Sequence, residues 1–175
     1  MKSLIRAISI AVSLSLISQA DVAAQPPKPN PLDQIRAEHI MISTDSFDDT
    51  LTWYRDMLGF ELIHKWSVPE LPGIELGYMK RNGFVIEVVQ TPKARTQRAK
   101  PKDLGQALGD RGIGHLAFRV ADVDAVAAEL KARGADFLVE PTSFPDSGRR
   151  LIFIFDNNGN LLEFLTPLSA YEARP

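Results

Sequence analysis

Gly112–Val120 reads Gly-Ile-Gly-His-Leu-Ala-Phe-Arg-Val, a glycine-led apolar run with one titratable ring at its centre. Alternation along a strand puts His115, Ala117 and Arg119 on one face and Leu116, Phe118 and Val120 on the other. The second face is apolar throughout, so the histidine points away from whatever packs there. A lone strand histidine ordinarily donates to a nearby carbonyl and stays in the core. This one gains its meaning from a copy earlier in the chain.

His39 and His115 lie 76 residues apart, and so do Glu87 and Glu163, Asn82 and Asn158, and Gly83 and Gly159. Four pairs at one offset, among them two of the three histidines, indicate a duplicated unit. Each copy has the same order of signals. "IRAEHIMIS" (35–43) reads as a strand, followed by "DSFDDTLTWYRDMLG" (45–59), in which Phe47, Leu51, Tyr54 and Leu58 fall at helical spacing before Gly59. "FELIHKWSV", "IELGYMK" and, after the tight-turn signal "RNG", "FVIEVVQ" complete a βαβββ pattern. In the second copy "GIGHLAFRV" leads to the helix "ADVDAVAAELKARG", then to "DFLVE", "RRLIFIF" and "NLLEFLTP". The reading is an α+β chain of two tandem modules, residues 35–91 and 113–167, with a linker at 92–112 and a short tail at 168–175.

What precedes the first module has a different composition. Lys2 and Arg6 are followed by the uncharged run "AISIAVSLSLIS", with small residues at Ser18 and Ala20 or Val22 and Ala24 in the −3/−1 pattern. That is the layout of a secretory signal peptide over residues 1–24, and twelve apolar residues are too few for a stable membrane anchor. "QPPKPNP" then gives a stiff spacer over 25–34. The expectation is a periplasmic or secreted protein. With no cysteine it has neither disulfides nor thiolate ligands, and a net charge of −2 offers no footprint for nucleic acid.

A glutamate inside an apolar strand is costly unless it is paired or bound to a metal, and Glu87 and Glu163 occupy such positions, 48 residues after each histidine. Two buried His–Glu ion pairs would satisfy them. Their duplication at one spacing favours a shared metal centre, in which His39, Glu87, His115 and Glu163 supply two nitrogens and two oxygens. That donor set suits one divalent ion such as Ni, Co, Zn, Mn or Fe and does not choose among them; calcium prefers oxygen alone.

The duplicated βαβββ unit, "GIGHLAFRV" and "FDNNGNLLEF" (155–164) resemble the vicinal oxygen chelate superfamily from about Ile35 to Pro167. The resemblance implies a curled eight-stranded mixed sheet around a central cleft, with ligands from the first and last strands of each module. The order His, Glu, His, Glu is similar to bacterial glyoxalase I, or lactoylglutathione lyase. It implies a small-molecule substrate with vicinal oxygens, a 2-oxoaldehyde–thiol hemithioacetal, isomerised by proton transfer through an enediolate. Glu163 is then the expected base and Glu87 its pseudo-symmetric partner, while Arg119 is a candidate for holding a substrate carboxylate. The same superfamily also contains extradiol dioxygenases and epimerases, and an exported small-molecule binding protein would be a reading from another class. The two modules can close within one chain or across a homodimer, and the linker length permits both. The basic run from Lys93 to Lys102 reads as a solvated connection before it reads as a lid, and His64 as a partly exposed strand residue.

Overall fold

The computed structural model describes residues 30–95, 99–109 and 111–172. The signal-peptide reading and the first half of the spacer, residues 25–29, lie outside these residues. The chain divides after Arg36. In the first unit, Pro31–Gln34 forms a 3-10 turn in which the Asn30 side chain accepts from the Leu32 amide at 3.0 Å. The second unit carries both modules.

The first module runs β1 (His39–Thr44), α1 (Phe47–Leu58), β2 (Glu61–Ser67), β3 (Glu75–Arg81) and β4 (Phe84–Gln90). After α2 (Leu104–Gly109) the second runs β5 (Leu116–Arg119), α3 (Val123–Ala132), β6 (Asp136–Phe144), β7 (Arg149–Phe155) and β8 (Leu161–Pro167), before α4 (Leu168–Glu172). Strand β1 begins at His39, four residues later than the run from Ile35 suggests. The sheets have one topology, β1-β4-β3-β2 and β5-β8-β7-β6. In each, the first strand lies parallel to the last and the remaining neighbours are antiparallel. The eight strands of the mixed sheet are thus hydrogen-bonded as two halves of four.

Both long helices start and stop where side chains dictate. Ser46 Oγ accepts from the Asp49 amide at 3.3 Å, and Asp122 Oδ1 accepts from the Ala125 amide at 3.0 Å. Helix α1 ends on Gly59 at φ 70°, where a Cβ would run into the Arg81 guanidinium. The apolar faces of α1 and α3 bury Phe47, Tyr54, Val123, Ala127 and Leu130 against the sheets. Trp53, Leu58, Leu116 and Phe118 pack against the cores of both modules, so the helix-covered faces share one apolar interior. Burial of this kind is the main favourable term in the fold.

The two modules differ at the hairpin into the last strand. Strands β3 and β4 are joined by the two-residue turn Asn82–Gly83, with φ 47° and 83°. The matching hairpin instead closes over Asp156–Asn160, whose Asp156 carboxylate accepts from the amides of Asn158 and Asn160. Gly159 keeps the positive φ of Gly83, but the longer loop shifts β7 by one residue. Phe153 therefore faces Glu163 as Tyr78 faces Glu87.

The linker is not merely a solvated connection. Leu104 and Ala107 of α2 pack on the cluster of Leu151, Phe153, Phe155 and Leu161. The Lys100 ammonium sits 4.2 Å from the centroid of the Phe155 ring and pairs with Asp136.

Candidate functional site

Parallel pairing puts Met41 beside Glu87 and Ala117 beside Glu163. Each glutamate thereby stands beside its module's first strand; His39 opens β1, whereas His115 lies just before β5, which starts one residue after the histidine that the sequence places within the strand. His39 Nε2 lies 3.5 Å from Glu87 Oε2, and His115 Nε2 lies 3.0 Å from Glu163 Oε2. Both imidazoles are about one-third exposed, with side-chain values of 32%, while the carboxylates show 15% and 11%, so solvent reaches the histidines and the glutamates are largely covered. The opposite strand faces, with Ile40, Ile42, Leu116 and Phe118, belong to the shared interior. The His–Glu faces therefore look away from it.

Each pair has an aromatic neighbour from the third strand of its module. The His39 and Tyr78 ring centroids are 5.6 Å apart, and those of His115 and Phe153 are 5.1 Å apart. Glu38 also contacts His39 Nδ1. That hydrogen bond raises the His39 pKa against the opposing effect of burial, with the charges of Glu38 and Glu87 adding to the rise. Desolvation, followed by the charges of Glu87 and Glu38, raises the Tyr78 phenol. Apart from the Tyr78 hydroxyl and Glu38, whose equivalent position is Gly114, the two half-sites are chemical copies.

Among the described residues, no three His, Cys, Asp or Glu side chains gather as a metal-binding group. His39 joins Glu87 and His115 joins Glu163, while the two pairs remain separate. Each pair offers one imidazole nitrogen and one carboxylate oxygen, so a single pair fits half of a divalent-ion shell and two pairs fit the four protein ligands. The faces that carry them differ. Leu104 and Ala107 cover part of the second, where Ile113 beside His115 is nevertheless 76% exposed, and Met41 on the first is 55% exposed.

A pocket of about 370 Å³ adjoins His115 and is lined also by Met41, Arg95 and Phe155. The basic linker thus contributes Arg95 to the His115 side. Arg119, a candidate for substrate recognition, does not line this pocket. It shares its strand face with His115 but lines a separate cavity with Phe118 and Val120. His64 stacks on Trp66 at 5.2 Å and 21°.

The helical spacing marks Tyr54 as a packing residue and gives no sign of its hydroxyl contact near the site. Tyr54 is fully buried, and its hydroxyl donates to Asp156 Oδ2 at 2.8 Å across the two modules. Burial raises its pKa well above the usual phenol value, and Asp156 adds to the shift.

Residues 36–164 match the family model described as the glyoxalase/bleomycin resistance protein/dioxygenase superfamily. The chain belongs to this family. A Bacillus subtilis superfamily relative, the uncharacterised protein YwkD, is 27% identical over 135 residues, covering 77% of this chain and 94% of that protein. A Synechocystis protein named probable lactoylglutathione lyase is 28% identical, covering 73% of this chain and 92% of its own. Lactoylglutathione lyase GLX1 of Arabidopsis thaliana is 24% identical across 76% of this chain, which spans only 44% of that enzyme. Among solved structures, a glyoxalase family protein from Enterococcus faecalis superposes with a TM-score of 0.59 at 27% identity, covering 75% of this chain and 97% of that one. Leishmania major glyoxalase I does so with a TM-score of 0.59 at 23% identity over 79% and 91% of the two chains. The glyoxalase superfamily fold therefore extends over both modules.

Proposed function

We propose that this superfamily member is a divalent-metal-dependent lyase of the glyoxalase I type, with its metal centre shared between two copies of the chain. The observation that carries the reading is the repeated His–Glu pair at 3.5 and 3.0 Å, on faces turned from the interior. The His39–Glu87 pair of one copy faces the His115–Glu163 pair of the other, which assembles the four ligands that one copy keeps apart. Exposed Met41 and Ile113 beside the pairs supply apolar surface for that contact.

When bound, the ion supplies Lewis-acid stabilisation of charge on the two adjacent oxygens of a vicinal-oxygen substrate. The chain's residues move the proton. Glu163 takes it from the substrate carbon and returns it to the neighbouring carbon, so the reaction is an isomerisation with no net change in atoms or electrons. His115 holds that carboxylate in place from 3.0 Å. Glu87 is its counterpart on the other side of the substrate. The substrate class is a 2-oxoaldehyde–thiol hemithioacetal and the product a 2-hydroxyacyl thioester.

The reading includes export. The charged start, the apolar run from Ala7 to Ser18 and the small residues that follow support it. Protein recovered from a periplasmic fraction should begin at Asp21 or Gln25; an intact Met1 there would refute cleavage.

Metal analysis combined with turnover of methylglyoxal and a thiol tests the enzyme reading. It predicts about one divalent ion per chain and thioester formation. Ferrous iron with oxygen uptake on a catechol would make the protein a dioxygenase, and binding of substrate without metal or turnover would make it a binding protein.

A further inference from the structure

A second cavity, of about 560 Å³, contains no residue of either His–Glu pair. Four phenylalanines, Phe60, Phe84, Phe118 and Phe164, line it from both modules. Among the described residues, three arginines line it as well, at positions 81, 119 and 133, against a single acid, Glu129. A cavity of this size, apolar with a few cations of one sign, has the composition of a site for a small amphiphilic anion.

Most of these charged groups are already engaged. Arg81 Nη1 donates to the Gly59 carbonyl at 2.8 Å, at the end of α1. Arg133 Nη1 donates to the Asp56 carbonyl at 2.7 Å, and Nε and Nη2 of the same side chain take Glu129 Oε1 at 2.8 and 2.6 Å. The one acid in the lining is therefore neutralised. The Arg119 guanidinium has no hydrogen-bond or ion-pair partner among the described residues. Its planar fork matches a carboxylate. One free guanidinium suits a singly charged group better than a dianion.

We propose that this cavity is a binding site for a small monocarboxylate with an apolar body, its carboxylate on Arg119 and its body among the four phenylalanines. The site is independent of the metal-dependent reaction proposed above. Carboxylate recognition by Arg119 thus belongs to this cavity and not to the pocket beside His115.

Calorimetric titration of the full chain with decanoate and with 1-decanol, which has the same body and no charge, tests the assignment. Decanoate should bind saturably and about tenfold or more tighter than the alcohol, the gain of a charge-assisted pair. Arg119→Met keeps much of the apolar stem, so it should bring decanoate down to the affinity of the alcohol and leave the alcohol unchanged. An unaltered melting temperature of the unliganded variant would show that the fold is intact. Absence of saturable binding, equal affinity for the two probes, or decanoate binding that survives Arg119→Met would overturn the proposal.

Discussion

Glu163 is 9% exposed between Leu162 and Phe164 on β8, a position where an unpartnered carboxylate would be costly. His115 supplies the partner, and the proposed chemistry gives the pair its purpose. Glu163→Gln keeps the shape and one coordinating oxygen but removes the base. Circular dichroism should be unchanged and part of the bound metal retained, while initial rates fall by about a hundredfold or more. Unchanged turnover would remove Glu163 from the base role. The His–Glu pairs were legible because they repeat at one spacing. Tyr54 was legible only as a packing residue, since nothing in its helical spacing marks a hydroxyl partner 102 residues away. Tyr54→Phe leaves buried Asp156 short of a donor and should cost about 1–3 kcal/mol in urea unfolding. The raised phenol also fixes the sign of an alkaline effect. Its contribution is fully present below the unfolded value of about 10 and is lost as pH rises through the higher folded value. Wild-type stability should therefore fall above about pH 10 by more than that of the Phe variant.

At the scale of elements, the periods of 3.6 and 2 identify α1, α3 and strands β1, β3 and β4 because each buries one apolar face, whereas β7 and β8 are buried on both faces and β2 is exposed along most of its length. Strands β4 and β7 coincide with "FVIEVVQ" and "RRLIFIF" from end to end. Helix α2 escapes the same reasoning. It is six residues long with a glycine at 105 and another at 109, and it is held by Leu104 and Ala107 packing on the Phe153 cluster. Local propensity carries no trace of such a tertiary contact. The one available sign was Asp103, whose Oδ1 accepts from the Gln106 amide at 2.8 Å. The end of α1 supplies a test at this scale. Gly59 sits at φ 70° with Arg81 against it. Gly59→Ala should lower unfolding free energy by about 1–2 kcal/mol, and an unaffected midpoint would refute the strained-cap account.

For the whole molecule, the tandem repeat foretold two like modules and their matching topologies, but not how they meet. That depends on side chains such as Trp53, Phe118 and Tyr54, which join helix-covered faces and leave the His–Glu faces turned from the shared interior. The hairpin over Asp156–Asn160 likewise departs from its earlier copy because Asp156 gathers two amides that no residue gathers in the two-residue turn. Four ligands divided between two faces make assembly of two copies part of the account. Two variants, one with alanine at His39 and Glu87 and the other with alanine at His115 and Glu163, test it directly. Alone, each should purify without tightly bound metal. Co-expressed, random pairing with twofold symmetry makes half of the dimers mixed, and each mixed dimer regains one intact site of two. Metal content and turnover should then recover to about a quarter of wild type. A mixture that stays metal-free and inactive, or a single variant that keeps its full metal alone, would contradict the shared centre.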